Sequence, residues 1–222
     1  VRASSNVISL DAFREALAER FPEARRPRER HWTTGWAAID DEAQGLRFGA
    51  ITEVCCAEEC SGFFLDRLIA SAREQGRFLG LVEVGRTFDP RSYEAAALAR
   101  VLTVFAETAE LSVKATDLLL RDGNLPLVLL DLQAAPLRSL GRIPANTWHR
   151  FQRLVERSET ALVVLTPQPL VEAARIRIAL HADWNLADLK RPRAELLPQI
   201  AVQIFRRGRA VGPMDQRRSH TA

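Results

Sequence analysis

The sequence predicts an α/β domain with a mixed, mainly parallel sheet flanked by helices. Three observations carry that expectation. Short apolar runs alternate with longer amphipathic segments over most of the chain, which is how helix-covered parallel strands are written. Leu127-Val128-Leu129-Leu130-Asp131-Leu132 is apolar on both alternating faces, as a strand covered on both sides must be. Arg175–Ala182 and Gln199–Arg206 instead alternate apolar and polar residues, and so read as a late antiparallel pair closing one edge.

The elements follow in order. Ser9 to Phe21 is an amphipathic helix with Leu10, Phe13, Leu17 and Phe21 on one face, Ser9 as N-cap and Pro22 at its end. Arg25 to Arg30 is a charged linker, so residues 1–30 form an appendage that docks on its own domain or on a neighbour. Residues 31–209 form the core. Ile51–Cys55 is a buried strand and Phe63–Gln75 the helix after it. Phe78–Val84 is a strand, Pro90–Arg100 a helix, Val101–Phe105 a strand and Thr108–Asp122 a helix stopped at Gly123. Leu127–Leu132, the helix Ala145–Ser158 and the strand Ala161–Thr166 complete the alternation, before Pro167 and Pro169. Residues 210–222, with Gly212, Pro213 and Arg217-Arg218, read as a flexible basic tail.

Composition excludes more than it assigns. The 222 residues are 47% hydrophobic, enough for a full core, yet no apolar run approaches the roughly 20 residues of a membrane span. Nothing at the N-terminus reads as a secretory signal, so a cytoplasmic location is the expectation. Cys55, Cys56 and Cys60 contain no C-x-x-C pair, and His31, His149, His181 and His220 are scattered. That spacing argues against a zinc site or a disulfide framework and for small reduced core thiols. The formal charge is +3, and Lys114 and Lys190 are the only lysines among 31 basic residues. Such arginine excess fits either biased coding or contact with phosphates and acidic partners.

The segment between the first core strand and its helix is the most informative. A phosphate-binding loop runs G-x-x-x-x-G-K-[ST], its lysine reaching the β- and γ-phosphates and its hydroxyl holding Mg²⁺. Counted back from Gly62, this chain has Ala57 at the first glycine, Phe63 at the lysine and Phe64 at the hydroxyl, with Glu58 and Glu59 between. Two aromatic rings replace an ammonium and a metal ligand, so no nucleotide, metal or other cofactor is expected there.

The order of motifs resembles the RecA-type ATPase core over most of residues 31–209. Thr33-Thr34-Gly35-Trp36-Ala37-Ala38-Ile39-Asp40 and Gly45-Leu46-Arg47-Phe48-Gly49 are similar to that family's lead-in and glycine turn. Val82 to Pro90 resembles its second-strand signature, and Leu127–Asp131 its Walker B strand, with Asp131 at the Mg²⁺-linked aspartate. At the position of the water-activating glutamate stands Gly85. Where the family carries a long glycine-rich DNA-binding loop, Thr166 to Val171 is short and stiffened by prolines. Losing the lysine, the hydroxyl and the carboxylate together implies no phosphoryl transfer, because that chemistry is almost wholly positioning and charge stabilisation.

Among ATPase-deficient RecA relatives, Pro144 to Leu154 and Ser158–Thr166 look like the bacterial ImuA family. The resemblance implies a non-catalytic accessory protein in SOS-type, damage-induced error-prone translesion DNA synthesis. Its implied partners are RecA, an inactive Y-family polymerase-like subunit of ImuB type, an error-prone replicative-type DNA polymerase and, as a further possibility, DNA. The same scaffold also fits a cell-division inhibitor or a recombination mediator, and an ATPase with a non-standard loop is the enzymatic alternative.

With no catalytic constellation, interfaces are the sites to seek. Leu10, Phe13, Leu17 and Phe21 form one candidate partner-binding face, since a segment before the core packs on the adjacent protomer in RecA-like filaments. The other is a basic patch for nucleic acid or an acidic partner: Lys190, Arg191, Arg193, Arg206, Arg207, Arg209, Arg217 and Arg218. Asp215 is the only acidic residue after Gln199, which favours a real patch over a mixed solvated face.

Overall fold

A computed structural model describes residues 31–56, 58–185, 187–206 and 209–211. The chain divides between Arg30 and His31, and all of the described elements lie in the second unit. That unit opens with a two-stranded antiparallel ribbon, β1 (His31–Trp32) on β2 (Leu46–Arg47), around the helix α1 (Ala37–Ala43). The lead-in closes on Asp40, whose carboxylate accepts the Thr34 N–H and hydroxyl and the Gly35 N–H, each at 2.9 Å.

The main sheet contains β3 (Ala50–Cys56), β4 (Leu79–Val84), β5 (Val101–Ala106), β6 (Leu127–Asp131), β7 (Ala161–Thr166), β8 (Ile176–His181), β9 (Ala201–Arg206) and β10 (Arg209–Val211). Among the described residues it has eight strands in the order β10-β9-β8-β3-β7-β6-β4-β5. The run from β5 to β8 is parallel, and only β9 opposes its neighbours. The late antiparallel pair expected from the alternating pattern is therefore β8 with β9, and β8 itself lies parallel to β3.

Helices cover both faces. On one side lie α1, α2 (Glu58–Glu74) and the short α3 (Ala95–Leu98). On the other lie α4 (Ala109–Asp122), α5 (Leu137–Leu140) and α6 (Ala145–Ser158), and α7 (Arg193–Leu196) follows β8. Strands β3, β4, β6 and β7 are buried along their whole length, which accounts for their near-continuous apolar sequences. Helix α4 starts where Thr108 accepts the Leu111 N–H and ends at Gly123 in the left-handed region.

Three expectations need correction. Helix α2 begins at Glu58, not at Phe63. The helix expected over Pro90–Arg100 is a 3₁₀ turn (Pro90–Ser92) and α3, separated by extended backbone at Tyr93 and Glu94. Tertiary contacts override helix propensity there: Tyr93 donates its hydroxyl to Asp66 and packs its ring 5.4 Å from Phe88. Finally, Ala210 and Val211, assigned to the tail, pair with Phe205 and Ile204 as part of β10.

Candidate functional site

Parallel strands deliver their carboxyl ends to one edge of the sheet, where open α/β folds bind ligands. Here β3 runs to Cys56 and α2 starts at Glu58, so a single residue, Ala57, separates strand from helix. One intervening residue is fewer than a phosphate-cradling loop requires. Phe63 and Phe64, expected at the lysine and hydroxyl positions of such a loop, are helical and turned inward: Phe64 is 0% exposed and Phe63 9%. The Phe63 ring lies 5.0 Å from that of Trp184, and the Arg193 guanidinium sits 5.4 Å from the Phe63 centroid. Arg193 also pairs with Asp66, one helical turn beyond Phe63. A pair of acids in a sequence favours a helix start, because carboxylates interact well with a helix N-terminus. That signal was present in Glu58-Glu59. Gly62 has ordinary helical backbone, and a Cβ there would meet nothing within 4 Å.

A cleft of about 320 Å³ remains beside α2, lined by Ser61, Gly62, Thr87, Tyr93, Asp131 and Gln133 among others. Asp131 on β6 lines it, and Glu83 stands in register beside Asp131 on the neighbouring strand β4. Glu83 accepts the Phe88 N–H at 2.9 Å and the Thr87 hydroxyl at 3.0 Å, which fixes the turn after β4. Asp131 accepts the Gln133 N–H at 2.9 Å, so this aspartate braces its own strand end. Gln133 in turn donates to the carbonyls of Cys56 (3.2 Å) and Thr166 (3.0 Å), tying three strand ends together. Gly85 has φ +90°, and a Cβ on it would stand 2.8 Å from that of Ala134. Both the backbone conformation and the space at this position therefore disfavour any larger side chain. Among the described residues, no group of three or more His, Cys, Asp or Glu side chains is placed to hold a metal ion.

One feature of this edge escaped sequence reasoning. Glu53, in the middle of β3 and 0% exposed, accepts N–H groups from Leu170 (2.6 Å) and Val171 (2.9 Å) and the Thr166 hydroxyl (3.2 Å). The Arg177 guanidinium closes on its second oxygen at 2.6 Å. A buried carboxylate thus anchors the proline-stiffened segment that follows β7. Its only sequence signal was a lone acid within an apolar strand. Beside it, Cys55 is buried 3.4 Å from the Thr166 hydroxyl; burial pushes its thiol up, partly offset by that hydrogen bond. Cys55, Cys56 and Cys60 are all buried, and none is in a disulfide.

The proposed basic patch is not one surface. Lys190, Arg191 and Arg193 follow β8 at the carboxyl edge. Arg206 and Arg209 lie at the opposite edge, because β9 runs back through the sheet and pairs Arg206 with Ile176. Arg191 is engaged by Asp188 (3.1 Å) and Glu195 (3.4 Å), and Arg206 donates to the Glu42 carbonyl at 3.0 Å. Arg207, Arg217 and Arg218 lie outside the described residues, as do Ala57 and the face of Leu10, Phe13, Leu17 and Phe21.

At the other end of the sheet β5 has no further strand beside it among the described residues; its Leu102 is exposed, as are Leu111 and Leu118 of α4, the latter at 67%, while Phe105 is exposed on the opposite face of the sheet, beneath the Arg86 guanidinium. The flank of α4 toward α6 is instead laced with ion pairs, Arg121 and Arg150 meeting Asp117 at 2.7 and 2.9 Å.

The sequence matches no family model and no curated protein. Among the described residues, no helix is long and apolar enough to cross a membrane.

Proposed function

We propose that this chain is a non-catalytic accessory protein on a RecA-like core, acting in damage-induced error-prone translesion synthesis of the ImuA type. In this reading it bridges RecA, an inactive Y-family polymerase-like subunit and an error-prone replicative-type polymerase. The observation that carries the non-catalytic half is the direct passage from β3 into α2, with Phe63 and Phe64 packed in the core where a nucleotide's phosphates would sit. Gly85 supports it independently, since its conformation and its contact with Ala134 leave no place for a catalytic carboxylate.

The bridging half draws on the motif resemblance and on the exposed apolar flank of β5 and α4. A strand edge unpaired among the described residues, beside exposed leucines, is the kind of surface that pairs with a partner's backbone and buries its side chains. The partner-binding face of Leu10, Phe13, Leu17 and Phe21 is the second contact in this proposal.

Capture assays with the purified chain test it against RecA and against the polymerase-like subunit. Leu102→Asp with Leu118→Asp should remove one partner, and Phe13→Asp with Leu17→Asp should remove RecA, with far-UV circular dichroism unchanged. Failure of the unaltered chain to capture either partner sinks the bridging role. Micromolar, Mg²⁺-dependent binding of a fluorescent ATP analogue would overturn the non-catalytic reading and restore the ATPase alternative.

A further inference from the structure

A buried acceptor without a donor is uncommon in a folded chain, because it keeps the full cost of leaving water. Two occur at the carboxyl edge of the sheet, one beside Asp131 on the neighbouring strand and one shortly after it. Gln133 lines the cleft beside α2 and is 8% exposed. Its Nε2 is spent on the carbonyls of Cys56 and Thr166, at 3.2 and 3.0 Å. Flipping the amide would set oxygen against oxygen there, so Oε1 faces away from those strand ends, and among the described residues it meets no donor. Glu83, 1% exposed, commits one oxygen to the turn after β4 and leaves Oε1 likewise without a donor. Asp131 adds a carboxylate to the cleft wall. The cations nearby are already engaged, Arg193 by Asp66 and Arg91 by Asp89. Phe88 and Tyr93 form an aromatic wall of the same cleft, their ring centroids 5.4 Å apart.

We infer that this cleft binds a guanidinium group, its N–H fork on Asp131 and the Gln133 Oε1 and its plane against Phe88 and Tyr93. The wall offers carboxylate and amide acceptors, so the ligand must donate and is favoured by positive charge; an anion is repelled. A guanidinium carries five donors in a planar fork that matches a carboxylate, and it also lies on aromatic faces. An ammonium brings the charge without the plane, and a urea brings the plane without the charge. The group reaches the cleft either on an arginine side chain of a partner or as a free small guanidine, and the chemistry of recognition is the same. This inference rests on the reading that no nucleotide occupies the edge. Titration with the fluorescent ATP analogue tests that reading by itself, so the two can fail separately.

The test is titration of the whole chain with ethylguanidinium, ethylammonium and ethylurea, followed in two-dimensional amide NMR spectra. Ethylguanidinium should bind with a dissociation constant on the order of 1 mM, as befits so small a ligand. It should move the signals of Gly62, Phe88 and the Gln133 side-chain amide, with ethylammonium weaker and ethylurea weaker still. This series uses the unaltered chain, so no loss of folding can mimic the result. Asp131→Asn keeps an acceptor for the Gln133 N–H but removes the charge, and should weaken ethylguanidinium about 10- to 150-fold. Tyr93→Leu should weaken it about 2- to 30-fold while Tyr93→Phe preserves it, which reads the ring rather than the hydroxyl. N-acetyl-arginine amide binding at least as well as agmatine identifies a partner's side chain as the source; agmatine binding alone identifies a free guanidine. The inference is overturned if none of these signals moves at about 10 mM ethylguanidinium. It is equally overturned if ethylammonium or ethylurea binds as tightly, or if Asp131→Asn binds like the unaltered chain.

Discussion

Replacing Gly62 with alanine separates a helix from a phosphate loop by the sign of one number. Gly62 is the fifth residue of α2, its backbone is helical, and an added Cβ has open space for 4 Å around it. Nothing steric therefore offsets the gain in helix propensity, which is about 0.8–1 kcal/mol for glycine to alanine in a helix interior. Its place near the N-terminus trims that value, so we expect stabilisation of about 0.5–1 kcal/mol. Urea unfolding at constant pH measures it directly. With a slope of about 1–3 kcal/mol/M, the midpoint should rise by about 0.2–1 M with the slope unchanged. In a phosphate loop, where a glycine is needed for left-handed backbone, the same change costs about 1–2 kcal/mol. A fall in the midpoint would therefore refute the helical assignment of residues 58–62, and with it the main argument against nucleotide binding.

Other perturbations test the rest of the edge. Gly85→Glu should destabilise by about 1–3 kcal/mol, since it combines positive φ with a clash, and should generate no ATPase activity; phosphate release above background would show that the turn after β4 can rearrange. Glu53→Gln should cost about 2–4 kcal/mol in chemical denaturation by leaving Arg177 without its partner; a cost below about 0.5 kcal/mol, typical of a surface change, would remove Glu53 as the anchor of residues 167–171. Cys55, its thiol raised above the ordinary value of 9.0, should be alkylated slowly at pH 8, and its rate should still be climbing above pH 9, because thiolate is the reactive form. Mass spectrometry of the modified peptide reads it, and a plateau below pH 9 would mean the thiol is not held neutral by burial.

Most of the sheet was legible because burial on both faces leaves a plain imprint. The apolar runs Leu127–Leu132 and Ala161–Thr166 read as covered strands and are strands, and the helix expected over Ala145–Ser158 has those bounds as α6. The failures share a cause, which is that the deciding interaction lay far away in sequence. Reading residues 57–64 against a loop template placed the helix start at Phe63, while the acidic pair before it already favoured an earlier turn. Tyr93 leaves the helical path for Asp66, 27 residues earlier. The clusters at Lys190–Arg193 and Arg206–Arg209 looked like one patch because charge was counted along the chain. The reversal of β9 then sends them to opposite edges. Glu53 was passed over because its partners, at 166–177, could be assembled only by the fold.

The central place of β3 carries a cost during synthesis. Its two neighbours in the sheet, β7 and β8, are translated last among the parallel strands; Ala50 pairs with Ala161 and Thr52 with Ile176. At about 5–20 residues per second, the ribosome leaves this apolar strand without a partner for roughly 5–20 s. Through that interval it is a strand with both edges open, the form most prone to stick to other nascent chains. A charge in mid-strand is the usual protection against such association. Glu53 supplies one, and it is neutralised only when Arg177 arrives to complete the sheet. The same carboxylate that fixes the finished edge thus guards the unfinished one, so a Glu53→Leu chain should be lost to inclusion bodies in rapid expression before its native stability is ever tested.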